Sequence, residues 1–352
     1  SMRIPRPHLT AELGTPNACS SCHVAETVTW AVDAVEAWYG PPAEEDEARM
    51  AAARAIHAGR QGAPESGPGL RSLAADATES GIARATALAL FTAHPTQETL
   101  DALAVAARDP DPMVRRGALA GLEAFAPEVR LPVAFPLLRD STRAVRIEAA
   151  RLLAPLARGT LTDAQQSLLL DVSDEYVAAQ RVNQDHPAAL TNLGNFHAAA
   201  QMPFDAELAY REAIEIDPSY VPAYANLADL YRAMRRDGDG EATLEQALAA
   251  VPGHPTLLHA RGLLRVRLNR MDEALADLDA AARGAPEEPR YAYVLAIALN
   301  STGDIDRALA TIDDALVRHV DDVELLTLAA SILRDAGRPA EAQAYLDRLP
   351  PA

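Results

Sequence analysis

The sequence has no lysine: all 32 of its basic residues are arginine, set against 50 acids for a net charge of −18. This excludes Schiff-base and pyridoxal chemistry, which needs a lysine amine. It also removes the lysine of the common nucleotide phosphate sites. The acidic balance argues against nucleic acid, whose phosphates must be neutralised by an excess of cations. Aromatic residues are few (5%) although 49% of the chain is hydrophobic. The interior must therefore be built from Ala, Leu and Val, which favours helices packed at close range. No apolar run approaches the ~20 residues of a membrane span. No nucleophile–base pair, glycine-rich phosphate loop or carboxylate cluster stands at a catalytic spacing, so no enzyme is expected. Cysteine is scarce as well: there are two, Cys19 and Cys22, three positions apart.

Three textures follow one another. Residues 1–69 hold both cysteines, both tryptophans and many prolines and glycines. A helix is expected from about Glu26 to Tyr39, stopped by Gly40-Pro41-Pro42, and a second from about Glu44 to Gly59. Gln61 to Gly69 (QGAPESGPG) reads as a linker. From Leu70 a repeat begins, with Arg84, Arg115 and Arg146 each 31 residues apart in similar surroundings. Each unit is a leucine-rich helix, a short polar turn, and a helix with an apolar stripe at i, i+3, i+4. The repeated arginine is expected to reach back to a turn acid or carbonyl of the neighbouring repeat. These stretches resemble HEAT-like repeats of the short type.

From about Ala164 the period changes to 34, marked by Pro218, Pro252 and Pro286. That is the period of the tetratricopeptide repeat. Repeats then start at Pro187, Val221, Pro255, Pro289 and Val323. Their eighth positions are Gly194, Ala228, Gly262, Ala296 and Ala330, and their twentieth are Ala206, Gly240, Ala274, Ala308 and Ala342. Small residues in both series fit two helices crossing closely. The twenty-fourth positions, Tyr210, Leu244, Leu278, Ile312 and Leu346, carry the large gap-filling residue. A half-repeat with Tyr176 and Ala179 precedes them, on a helix expected from about Ala164 to Asn183 that joins the two arrays. The fold expected is all-α, a tandem helical-repeat solenoid of HEAT-like and then tetratricopeptide repeats. An N-terminal segment that holds the two cysteines stands before it, with boundaries expected at 1–69, 70–162 and 163–352.

The chemistry-bearing motif is Cys19-Ser20-Ser21-Cys22-His23, the C-x-x-C-H pattern of c-type haem attachment. Two thiols three apart can each add to one vinyl group of a porphyrin, and the adjacent histidine supplies the proximal nitrogen. Three other readings stay open. One is a zinc site completed by His8 and His57; the others are a redox pair and two ordinary thiols or a surface disulfide. Arg3 to Gly40 resembles the last haem-attachment segment of periplasmic multihaem c-type cytochromes similar to cytochrome c554 that end in tetratricopeptide repeats. The matching pieces are Arg3-Ile4-Pro5-Arg6-Pro7, Gly14-Thr15-Pro16-Asn17-Ala18-Cys19, Cys22-His23, Trp30-Ala31 and Trp38-Tyr39-Gly40. The resemblance implies covalent haem c on Cys19 and Cys22, His23 as proximal iron ligand, and a periplasmic location. It also implies that Ser1-Met2 is native sequence preceded by further haem motifs. The distal ligand would then be upstream, or His8 or His57, with Met2 and Met50 as weaker candidates. His8 stands where that family more often has an acid. Trp30 and Trp38, eight apart, share a helix face, which is expected to pack on neighbouring helices or on the porphyrin.

In the tetratricopeptide register, positions two, five, nine, twelve and thirteen of helix A line a groove. They include Thr191, Asn195, Asp229, Arg232, His259, Arg267, Arg290, Tyr293, Asn300 and Arg334. Asn195 and Asn226 match the asparagines of carboxylate-clamp repeats, but the clamp's lysines are absent. The groove is suited to a protein or peptide partner, an extended acidic segment in particular. Two functions follow. The first is a fragment of a multihaem cytochrome that transfers electrons while its repeats dock a protein. The alternative is a protein–protein interaction scaffold with neither haem nor catalysis.

Overall fold

The computed structural model describes residues 6–41, 44–156 and 160–349, with backbone alone for 44–49. Ser1-Met2 and Arg3-Ile4-Pro5 lie outside the described residues. Every regular element among these residues is a helix, and the chain divides into two compact units, Ser1–Tyr176 and Val177–Ala352. The division falls within one continuous helix, Asp163–Arg181.

In the first unit, helices Pro7–Leu13, Ala18–Cys22 and Val28–Tyr39 form the segment around the motif. Thr27 caps the last of these by accepting from the Trp30 amide at 3.1 Å, and Gly40 at φ 81° ends it. Only Pro7, Ala31 and Val35 are buried in this stretch, and none of its residues joins the apolar core of the unit. The next helix, Glu44–Arg60, behaves differently, because Ala52, Ala55 and Ile56 pack on that core. The expected linker at 61–69 is shorter than its composition suggests. A helix runs Ser66–Ala75 with Ser66 and Gly67 buried, and a Cβ on Gly59 would stand 3.0 Å from Leu70. Ser66 and Gly67 are small enough to lie inside a helix–helix contact, so small size rather than flexibility explains this Gly/Ser/Pro run.

The 31-residue repeats are helix pairs: Ser66–Ala75 with Gly81–Ala89, Gln97–Ala106 with Pro112–Gly121, and Pro127–Ala134 with Arg143–Leu153. Leu88, Leu103, Leu119, Leu122 and Leu153 are fully buried between them. Gly117 and Gly121 permit close backbone approach, since a Cβ would lie 2.5 Å from Ala85 Cα at the first and closer still to the Leu88 carbonyl oxygen at the second. The repeated arginine does bond a turn acid, in the following repeat and not the preceding one. Arg84 Nη2 donates to Asp109 at 2.6 Å, and Arg115 donates to both oxygens of Asp140 at 2.7 and 2.9 Å. Arg146 donates to both oxygens of Glu175 at 3.0 and 2.7 Å. Each arginine also bonds carbonyls before its own helix: Ala74 for Arg84, Asp109 and Pro110 for Arg115, Asp140 and Ser141 for Arg146. Asp109 and Asp140 therefore each hold two arginines, one on the carboxylate and one on the carbonyl. The ladder ends where the repeat ends, with an acid borrowed from helix Asp163–Arg181.

In the second unit the helix-A starts fall on the residues that the period implies: Pro187, Val221, Pro255, Pro289 and Val323. Their B helices are Pro203–Ile216, Asp237–Ala250, Met271–Gly284, Ile305–Leu316 and Pro339–Leu346. The small residues are buried as expected, with Ala206, Ala274, Ala296, Ala308 and Ala330 at 0% exposure. A Cβ on Gly262 would stand 2.7 Å from Leu278 Cγ, and one on Gly194 would run into the Tyr210 ring. Close backbone approach is therefore the reason for glycine at the eighth position. Each A–B turn passes through the left-handed region at one residue, spaced 34 apart: Gln201, Arg235, Asn269, Gly303 and Gly337.

Candidate functional site

The C-x-x-C-H motif folds as one short helical turn. Asn17 caps it by accepting from the Ser20 amide at 3.1 Å, and its amide donates to Thr10 at 3.1 Å. Cys19 and Cys22, three apart in a helix, point to the same side. Both are free thiols; Cys22 is exposed and Cys19 half-buried. The His23 amide donates to the Cys19 carbonyl at 2.8 Å, and its ring lies 4.7 Å from the Trp30 ring at 44°. Two accessible thiols on one turn with an imidazole directly after them form a donor set that suits covalent haem. Among the described residues, no three His, Cys, Asp or Glu side chains come together to hold a metal ion.

The distal candidates lie in different settings. His8 Nε2 is 3.0 Å from Glu36 Oε1, so that nitrogen is already engaged. His57 is half-buried on helix Glu44–Arg60, and Met50 on the same helix is buried. The two tryptophans differ from expectation. Trp30 is half-buried against His23, but Trp38 is 72% exposed, with Tyr39 at 60% and Val24 at 85%. Among the described residues Trp38 is therefore largely uncovered, and the motif segment exposes Val24, Trp38 and Tyr39.

In the second unit, five of the groove residues named from the register line a cavity of about 510 Å³. Asp229 and Arg232 come to it from helix Val221–Ala233, His259 and Arg267 from Pro255–Arg267, and Arg290 from Pro289–Ser301. Helix A of three successive repeats thus builds one wall set. Arg290 is shared with a smaller cavity of about 140 Å³, lined also by Tyr293, Glu288, Asp322 and Glu324. Arg232 pairs with Asp229 at 3.1 Å and Arg267 with Asp237 at 3.2 Å.

Asn195 and Asn226 are not arranged as a clamp. Asn226 donates to Asn195 Oδ1 at 2.8 Å, and the Tyr210 hydroxyl donates to the same oxygen at 2.7 Å. The pair links two neighbouring A helices instead, because that oxygen is saturated by internal donors. Burial, with a lesser contribution from Asp229, pushes the Tyr210 hydroxyl up to about 12, so it remains a donor at any ordinary pH. Thr191 is buried with its hydroxyl unpartnered, and Asn300 is half-buried and Arg334 exposed.

Two features were not read from the sequence. One is a second arginine ladder at the start of the B helices. Arg236 bonds Glu207 of the preceding repeat at 2.7 Å and Arg270 bonds Glu241 at 2.7 Å. Its signal was the 34-residue spacing of Arg236, Arg270 and Arg338, broken at Asp304. The other is the state of His259. Its side chain is only 8% exposed, its Nδ1 has no hydrogen-bond partner, and its ring lies 4.6 Å from Tyr291. Burial and then the Arg290 charge push it down to about 4, against an opposing pull from Asp229. At neutral pH it is an uncharged imidazole.

Tetratricopeptide repeat profiles match residues 209–241, 259–319 and 293–352. No curated protein matches the chain. Among solved structures, a crystal structure of MamA is similar at 16% identity over 44% of this chain and 91% of that one, with a TM-score of 0.39. A structure of YrrB, described as a TPR protein with an unusual peptide-binding site, is 20% identical over 49% of this chain and 89% of that one, with a TM-score of 0.38. Scores this low carry no argument about function. No described helix is long and apolar enough to cross a membrane. The profile matches and the periodic burial of small residues agree: the second unit carries tetratricopeptide repeats.

Proposed function

We propose that this chain is a protein-docking scaffold whose tetratricopeptide array holds an extended segment of a partner protein along its A helices. The observation that carries the reading is the cavity built by helix A of three successive repeats, with cationic, apolar and unsatisfied polar groups side by side. Such a surface offers anchors for side chains of an extended strand without offering a reaction centre. Leu263 lies in this cavity and is 37% exposed. Leu263→Arg fills the cavity from an exposed position. Affinity capture from the native host with wild-type chain should recover a defined partner that the variant loses. An identical set captured by both proteins contradicts the reading.

A second reading concerns the first unit and rests on its two free thiols and the exposed aromatic surface beside them. Cys19 and Cys22 bind haem c covalently and His23 ligates its iron, in a periplasmic electron-transfer protein that uses the repeat array to dock its redox partner. When bound, the haem supplies the one-electron couple. The protein's own contributions are the helical turn that aligns both thiols, the Asn17 cap that fixes the turn, and Trp30, which holds the His23 ring. The chain exported to a periplasm with cytochrome c maturation enzymes should keep a Soret band through acid–acetone extraction, and Cys19→Ser/Cys22→Ser should lose it. A colourless product with both thiols intact contradicts haem attachment and leaves the docking scaffold without a cofactor.

A further inference from the structure

The chain carries 50 acids, yet Arg290 has no carboxylate partner among the described residues. Glu287 and Glu288, close to it in sequence, leave it unpaired. Arg232 and Arg267 in the same cavity are each engaged by an aspartate of their own array. Beside Arg290 lies His259, more than nine-tenths buried and with an unsatisfied ring nitrogen. A buried polar atom without a partner costs about 1–3 kcal/mol, and an anion seated among these groups changes that balance. A guanidinium with free donors is the side chain best matched to a carboxylate.

We infer that the cavity between the second, third and fourth tetratricopeptide repeats seats the carboxylate of an internal Asp or Glu side chain of the docked segment, bound by Arg290 alongside His259. This rests on the docking reading and names its anchor. An internal side chain is favoured over a chain terminus for two reasons. Arg290 also borders the smaller cavity, so the groove continues past the anchor. The asparagine oxygen that could have helped hold a terminal carboxylate is saturated by Tyr210 and Asn226. The continuation is acidic, with Glu288, Asp322 and Glu324 around it. The partner segment accordingly carries its negative charge at the third repeat and neutral or basic residues beyond it.

The test uses the full chain and a capped peptide, acetyl-Ala-Ala-Glu-Ala-Ala-amide, with the His259 ring resonances as the readout. The expected result is a saturable shift of these resonances at millimolar peptide. Binding should be about tenfold weaker for the Gln peptide and for Arg290→Gln, in line with loss of one charge-assisted contact. A peptide ending in a free carboxylate but lacking Glu should bind no better than the Gln peptide. Arg290 is exposed, so the variant keeps the fold, and an unchanged melting temperature verifies this. Equal binding of Glu and Gln peptides, or no effect of Arg290→Gln, overturns the anchor while leaving the groove a docking surface. Tighter binding of the free C-terminal carboxylate, or no His259 shift with the Glu peptide, also overturns it. The docking reading itself is tested separately, by the Leu263→Arg capture experiment.

Discussion

Gln201 and Arg235 adopt φ of 58° where the last two repeats have Gly303 and Gly337. A side chain in the left-handed region costs about 1–2 kcal/mol, partly offset because glycine has more freedom to lose on folding. Arg235→Gly should therefore raise stability by about 0.5 kcal/mol in urea denaturation, and a loss of similar size would show that the turn is not strained. Gly262 is the opposite case. Its missing Cβ makes room for Leu278, so Gly262→Ala should cost about 1–3 kcal/mol by overpacking. His259 adds a pH dependence. Its folded value, about 4, lies below the ordinary imidazole value of 6.5, so the unfolded chain takes up the proton first as pH falls. Its contribution to stability is whole above about 6.5 and is lost progressively towards about 4. The NMR titration of its ring should show no protonation at pH 6. These residue-scale facts were unevenly legible. The glycines and alanines at the eighth and twentieth positions could be read because backbone contact leaves no alternative to a small residue. His259 was placed at the groove by its register, but its state depends on the Tyr291 ring and the Arg290 charge, both from the next A helix.

At the scale of the element, the arginine ladder explains how short repeats with small cores stay in line. Arg115 and Asp140 are 12% and 7% exposed, so each depends on the other to be satisfied away from water. Arg115→Ala should cost about 2–3 kcal/mol, because it leaves the Asp140 carboxylate and the Asp109 and Pro110 carbonyls short of donors. Chemical denaturation monitored by circular dichroism checks this, and a change under 0.5 kcal/mol contradicts it. Burial raises the Asp140 value, but the Arg115 hydrogen bond, the Thr142 amide and the Arg115 charge together hold it below the usual carboxylate range. The ladder is whole above the unfolded carboxyl's ordinary value of about 4 and weakens as pH falls below it. The arginines were legible as a 31-residue series, but the direction of their bonds was not. Asp109 and Asp140 serve as turn residues as well as partners, and Glu175 is placed by a helix outside the repeat. The helix beginning at Ser66 was hidden for a different reason: glycine, serine and proline signal a loop unless packing demands small residues. For Trp38, the spacing from Trp30 defines a shared face but not what covers it, and that face leaves Trp38 72% exposed.

At the scale of the molecule, the first unit holds the thiol motif on a segment with little burial of its own, and the second holds the groove. The absence of lysine applies to both. Any electrostatic docking must use arginine or bring a basic partner to the acidic surface, and many of the arginines, those of the ladders included, are paired to carboxylates within the chain. Arg290 lines the groove cavity without a carboxylate partner among the described residues. The measurement that bears most directly on the docking scaffold is site-specific photo-crosslinking in the native host. A photoreactive residue is placed at Leu263 in the cavity and, for comparison, at the 73% exposed Val105 and the 76% exposed Val317. The account predicts a discrete crosslinked partner from Leu263 that Arg290→Gln diminishes, and none from Val105 or Val317. Crosslinks that are equally abundant at all three positions, or absent at Leu263 alone, would contradict it.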